Sequence, residues 1–137
     1  MRRFVFAALI ALAMMALIVP AAFAGSPHFV DVSATRDGNS LTVSGKEAGL
    51  GNETQVHIEV TATALCINGG GKHPKAVNKA DVSAEGDFPV QNGKANFSLT
   101  LTATFQPDCT PPMTVVFTDV TVSDTEHGVT AKIPGTF

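Results

Sequence analysis

Four histidines, two cysteines, one glycine-lysine run and one acidic run are the residues through which this chain could do chemistry. His28, His57, His73 and His127 are spread along the chain, and no two stand at the H-x-H or H-x-x-x-H spacing that brings two imidazoles to one metal. An amino-terminal copper site needs a histidine in third place with a backbone amide before it. His28 would be fourth in a chain beginning at Gly25, and Pro27 before it has no amide hydrogen. Gly69-Gly70-Gly71-Lys72 resembles a phosphate loop only superficially. That motif needs glycine at position 66 and serine or threonine at position 73, where this chain has Cys66 and His73. Asp119, Asp124 and Glu126 offer the oxygen ligands that Ca²⁺ takes, without the spacing of a calcium loop, and a solvated turn is the expected role. No G-x-S-x-G elbow is present. The expectation is therefore no catalytic residues, no resident metal and no cofactor.

The segment from Cys66 to Lys79 concentrates positive charge. Lys72, Lys75 and Lys79 fall within eight positions, and the residues before Gly25 hold two further basic groups, Arg2 and Arg3, and no acidic one. Removing those two arginines takes the net charge from −3 to −5, and setting the three lysines aside leaves −8 for the rest. A cationic loop on an anionic body is a candidate holder of a carboxylate or sulfate. Asn68, Gly70, Lys72, His73, Lys75, Asn78 and Lys79 are its candidate contacts, because glycines let amides turn toward an anion and lysines supply charge. The competing role is structural, since a long connection needs turn formers and soluble side chains.

The compartment follows from the first 24 residues. Met1-Arg2-Arg3 is a short basic start, Phe4 to Val19 is apolar throughout, and Ala22-Phe23-Ala24 has the small-x-small pattern of a signal-peptidase site. Sixteen apolar residues reach only about 24 Å as a helix, short of a hydrocarbon core of roughly 30 Å. Residues 1–24 are expected to be a cleaved signal peptide and 25–137 one exported domain, secreted or held in the cell envelope, with no membrane association after cleavage. In an oxidising compartment Cys66 and Cys109 are expected to form a disulfide, whose loop of about 44 residues is worth roughly 4 kcal/mol on the chain-entropy model. The mildly acidic balance argues against nucleic acid as a partner.

Alternation of period two positions these residues. Val56, Ile58, Val60, Ala62, Ala64 and Cys66 share one face of a strand, with His57, Glu59, Thr61 and Thr63 on the other. Ala95, Phe97, Leu99, Leu101, Ala103 and Phe105 form a second inward set, with Thr100, Thr102 and Thr104 outward. Shorter strands are expected over Phe29 to Thr35 and Ser40 to Ser44, around a turn with Asp37-Gly38 at its centre. Others are expected over Lys79 to Ala84, ending at Glu85-Gly86-Asp87, and over Met113 to Ser123 and Val129 to Ile133. Within Met113 to Ser123 the inward phase slips from Val115 and Phe117 to Val120 and Val122, which predicts a bulge near Thr118-Asp119. About seven antiparallel strands in one all-β domain describe a two-sheet sandwich of immunoglobulin-like type, without the core tryptophan of antibody domains.

The pattern C-x-N-G-G-x-x-x-P-x-x-x-N-K from Cys66 to Lys79, preceded by Ser44-Gly45-Lys46-Glu47-Ala48-Gly49-Leu50-Gly51, resembles a group of small exported, largely bacterial β-sandwich proteins of unassigned function. The resemblance implies a shared fold and disulfide and brings no catalytic residues. A fainter likeness is to the bacterial enediyne-binding apoproteins, which carry two disulfides where this chain has cysteines for one. The expected function is that of a secreted, non-catalytic binding or interaction module for an anionic extracellular ligand or protein. Two alternatives are a small extracellular hydrolase, built on His73 or His127 with Asp108 or Asp124, and a self-assembling envelope protein that pairs its sheet edges. Outward Thr61, Thr63, Thr100, Thr102 and Thr104 raise a further, minor possibility of an ice-binding threonine ladder.

Overall fold

Inward and outward side chains sort into two facing sheets in the computed structural model, which describes residues 25–68 and 76–137. The strands are β1 (His28–Asp37), β2 (Ser40–Ala48), β3 (Gln55–Ile67), β4 (Ala76–Pro89), β5 (Ala95–Thr102), β6 (Thr114–Asp124) and β7 (Val129–Ile133). One sheet has the order β1-β2-β5 and the other β4-β3-β6-β7, and every neighbouring pair is antiparallel. The chain changes sheet between β2 and β3, between β4 and β5, and between β5 and β6. This is the two-sheet, immunoglobulin-like sandwich that the alternation predicts, with no helix among the described residues.

The core lies between the sheets and uses the expected phases. Val56, Ile58, Val60, Ala62, Ala64 and Cys66 of β3 are buried, as are Phe97 and Leu101 of β5 and Val115, Phe117, Val120 and Val122 of β6. Burying a large aliphatic or aromatic side chain stabilises by roughly 1.5–3 kcal/mol, so these rows hold the sheets together. Phe97 also meets Phe29 and Phe88 edge to face, with ring centroids 5.9 and 6.1 Å away. The predicted bulge is present. Thr61 pairs with Thr121 and Thr63 with Thr118, so Asp119 and Val120 together oppose Ala62, and Asp119 takes a φ of 54°.

Several boundaries move. The first hairpin turns at Gly38-Asn39, one residue later than expected, because Asp37 pairs with Ser40 and Gly38 supplies the positive φ of 58°. β2 continues past Ser44 to Ala48, along β5 as far as Glu47 opposite Ala95. β4 does not stop at Glu85-Gly86-Asp87. Those residues pair with Glu59, Ile58 and His57 of the long β3, whose ladder outweighs the turn propensity of a glycine between two acids. β5 ends earlier, at Thr102, although Ala103 and Phe105 keep their buried phase.

The threonines do not form one ladder. Thr61 and Thr63 lie on β3, whereas Thr100 and Thr102 lie on β5 of the other sheet and hydrogen-bond the hydroxyls of Thr42 and Ser40 at 3.0 Å.

Candidate functional site

The sandwich has two ends of different chemistry. At one, Cys66 and Cys109 are bonded, joining the end of β3 to the connection between β5 and β6. Of the loop residues singled out above, Asn68, Asn78 and Lys79 are described, while Gly70, Lys72, His73 and Lys75 lie outside the described residues, as does the expected signal peptide. Asn68 and Lys79 are exposed. Asn78 pairs with Cys66 across β3 and β4, and its side-chain amide donates to the Gln106 carbonyl at 3.2 Å, so it ties β4 to the segment that leads to Cys109. A depression of about 200 Å³ beside the bridge is lined by Cys66, Asn78, Gln106, Pro107 and Met113.

At the other end, Glu47 from β2 and Asp124 from β6 reach inward from opposite sheets, and both are completely buried. Both continue apolar phases. Leu41 and Val43 precede Glu47 on one strand, and Val120 and Val122 precede Asp124 on the other. Asp124 caps the turn into β7 by accepting the backbone amides of Glu126 at 3.0 Å and His127 at 3.2 Å through Oδ1. Its Oδ2 meets Nδ1 of His127 at 2.5 Å, and Nε2 of that ring meets Glu53 Oε1 at 2.6 Å. Neither carboxyl oxygen of Glu47 has a hydrogen-bond partner.

Burial and position divide the charge unevenly. Glu47 is pushed up to about 8, first by loss of water and then by the neighbouring Asp124 carboxylate. Burial pushes Asp124 in the same direction, but contacts with Glu47 and with the ring and amide of His127 outweigh it and hold Asp124 below its ordinary value. His127 is raised, foremost by Glu53, against a smaller opposing effect of burial and with further support from Asp124. Near neutrality Glu47 keeps its proton, and Asp124, held below its ordinary value, is the ionised one of the two buried acids.

Other sequence candidates separate. His127 and Asp124 do come together, as one form of the hydrolase alternative requires, but both ring nitrogens already face carboxylates. Asp108 sits next to Cys109 at the opposite end, and His73 is outside the described residues. Asp119, Asp124 and Glu126 do not converge. Asp119 is exposed in the bulge and Glu126 in the turn, and only Asp124 points inward. The bulge and the turn give the three residues different directions, so they make no shared calcium site. His57 is not simply solvated: Nδ1 meets Asp87 at 2.7 Å and Nε2 meets Glu85 at 3.3 Å across the β3–β4 ladder, and its pKa is raised by Asp87 first and then Glu85.

Sequence reasoning reached two members of the buried cluster and missed Glu47 and Glu53. The available signal was phase: an acid that continues an inward apolar row is committed to burial. Comparison with known proteins finds no matching family model, no matching curated protein and no matching solved structure.

Proposed function

We propose that the chain is exported, loses residues 1–24, and acts outside the cell or at its surface as a non-catalytic module that binds an anionic ligand or protein partner. The observation that carries this reading is the Cys66–Cys109 bridge, a type of bond that persists chiefly in oxidising compartments. It pins the end of β3, which the segment bearing Lys72 and Lys75 follows in sequence, and Lys79 is exposed on β4 opposite Leu65. No helix among the described residues is long and apolar enough to cross a membrane. The resemblance to small exported sandwiches of unassigned function points the same way.

The test has two parts. Mass spectrometry of protein recovered from the medium or envelope is expected to find a chain beginning at Gly25. An array of sulfated and carboxylated glycans and acidic peptides is expected to show salt-sensitive binding that Lys72→Ala/Lys75→Ala/Lys79→Ala removes. Binding unchanged in that variant takes the loop out of the proposal.

A further inference from the structure

Glu47 is the one polar side chain in the described core whose atoms have no partner. It is 0% exposed, both of its oxygens are unpaired, and it faces a second buried carboxylate and an imidazole. We propose that Glu47, Asp124 and His127 bind one divalent first-row transition cation of the Zn²⁺ type, with Glu53 as the group that orients His127.

One ligand atom from each of the three residues falls within 4.8 Å of the others. A tetrahedral ion held at about 2.1 Å needs its ligand atoms about 3.4 Å apart, so the Nδ1–Oδ2 pair at 2.5 Å opens to admit the ion while the wider separations close. The three come from different places in the chain, and the sandwich brings them together: Glu47 from one sheet, Asp124 from the facing sheet, and His127 from the turn that follows it. Supporting contacts aim the donors. Backbone amides hold Oδ1 of Asp124 and leave Oδ2 toward the centre. With Nε2–H donated to Glu53, Nδ1 of His127 is the nitrogen turned toward Asp124, and a carboxylate behind a ligating histidine is the usual outer support of such sites.

The donor set selects the class of ion. An imidazole with two carboxylates suits Zn²⁺ and its neighbours, whereas Ca²⁺ and Mg²⁺ prefer oxygen alone. The ion displaces the Glu47 proton to solvent, and the two carboxylates then balance its double positive charge inside a space where unpaired charge is costly. Three protein donors leave a coordination position for water or another small ligand. The His127 side chain is 19% exposed and that of Glu53 42%, so the turn between β6 and β7 is the rim through which an ion enters. None of this depends on the lysine-bearing segment or on the reading proposed for it.

The experiment titrates the chelator-treated, disulfide-intact protein with Zn²⁺ by calorimetry and by thermal unfolding, with Ca²⁺ and Mg²⁺ in parallel. One Zn²⁺ per chain and a raised Tm are expected, with neither Ca²⁺ nor Mg²⁺ reproducing the effect at the same concentration. Glu47→Gln and His127→Gln are expected to abolish the shift, Glu53→Gln to weaken binding about 10- to 100-fold, and His57→Ala to leave it intact. Absence of stoichiometric Zn²⁺ binding, wild-type affinity in Glu47→Gln, or loss of binding in His57→Ala each overturns the site. Should Glu47→Gln fail to fold, Glu53→Gln decides the matter, because its side chain is largely outside the core: unchanged affinity there refutes the assignment.

Discussion

The two raised imidazoles and the one raised carboxyl respond differently to solvent. In chelator-treated protein Glu47 keeps its proton to about 8, while in the unfolded chain it ionises near 4.5. Between those values the folded state binds more protons, so stability falls as pH rises through the window. His127 adds the same sign: its contribution is complete below 6.5 and disappears as pH passes its higher folded value. Glu47→Gln is therefore expected to flatten the urea-unfolding stability across this range and to exceed the wild type at pH 8. A wild-type stability that rises steadily from 4.5 to 8 is the contrary result. His57 titrates where water screens it, so its effect belongs to spectroscopy rather than stability. Its ring is expected to titrate above 6.5 by NMR, with Asp87→Asn returning it further toward 6.5 than Glu85→Gln, because Asp87 is the nearer partner. The site was only half legible in the sequence. Asp124 and His127 stand three positions apart and invite pairing, but Glu47 and Glu53 meet them only through the packing of one sheet on the other. Had β2 been extended two positions along its own alternation beyond Gly45, Glu47 would have emerged as an acid in a core row.

At the level of strands, the bulge in β6 decides which residues face the core. Phe117 is inward before it and Val120, Val122 and Asp124 are inward after it, so one inserted residue exchanges odd positions for even ones. Removing Asp119 would set Val120 alone opposite Ala62 and two positions after Phe117, so strict pairing would return with Val120, Val122 and Asp124 still inward. Deletion of Asp119 is accordingly expected to leave the sandwich folded, with β-sheet circular dichroism unchanged, and a second probe is available in its backbone. Asp119 holds a φ of 54°, a left-handed conformation that glycine adopts freely and β-branched residues resist. Asp119→Gly is expected to be neutral in chemical denaturation and Asp119→Val to destabilise by about 1–2 kcal/mol. Equal stability of the two variants would mean that the bulge relaxes into another geometry. Alternation made β3, β6 and this bulge readable, because each buries a full face. It failed at Glu85-Gly86-Asp87, where an edge strand is held by its partner's ladder and by His57 rather than by its own hydrophobic row.

Across the whole molecule, the bridge and the acid–imidazole cluster lie at opposite ends of β3 and β6, with the apolar rows between them. The division separates two kinds of closure. The cluster end joins the sheets through side chains whose protons exchange with solvent, and the bridge end joins chain segments 43 positions apart through a covalent bond. Only the second restricts the unfolded chain. On the chain-entropy model its loss costs roughly 4 kcal/mol, a large part of the 5–15 kcal/mol that a domain of this kind possesses. Cys66→Ser/Cys109→Ser also places a hydroxyl where Cys66 is buried, which adds to the loss. Cys66→Ala/Cys109→Ala is therefore the cleaner variant. It is expected to lower the free energy of unfolding by about that 4 kcal/mol, with the wild type in reductant falling to the same level. Because the hydrophobic rows and the far cluster do not use the bridge, the β-sheet circular dichroism of the alanine variant should persist in the absence of denaturant. If the variant unfolds outright there, the rows between the sheets are weaker than their burial indicates, and the bridge rather than the core holds the sandwich closed.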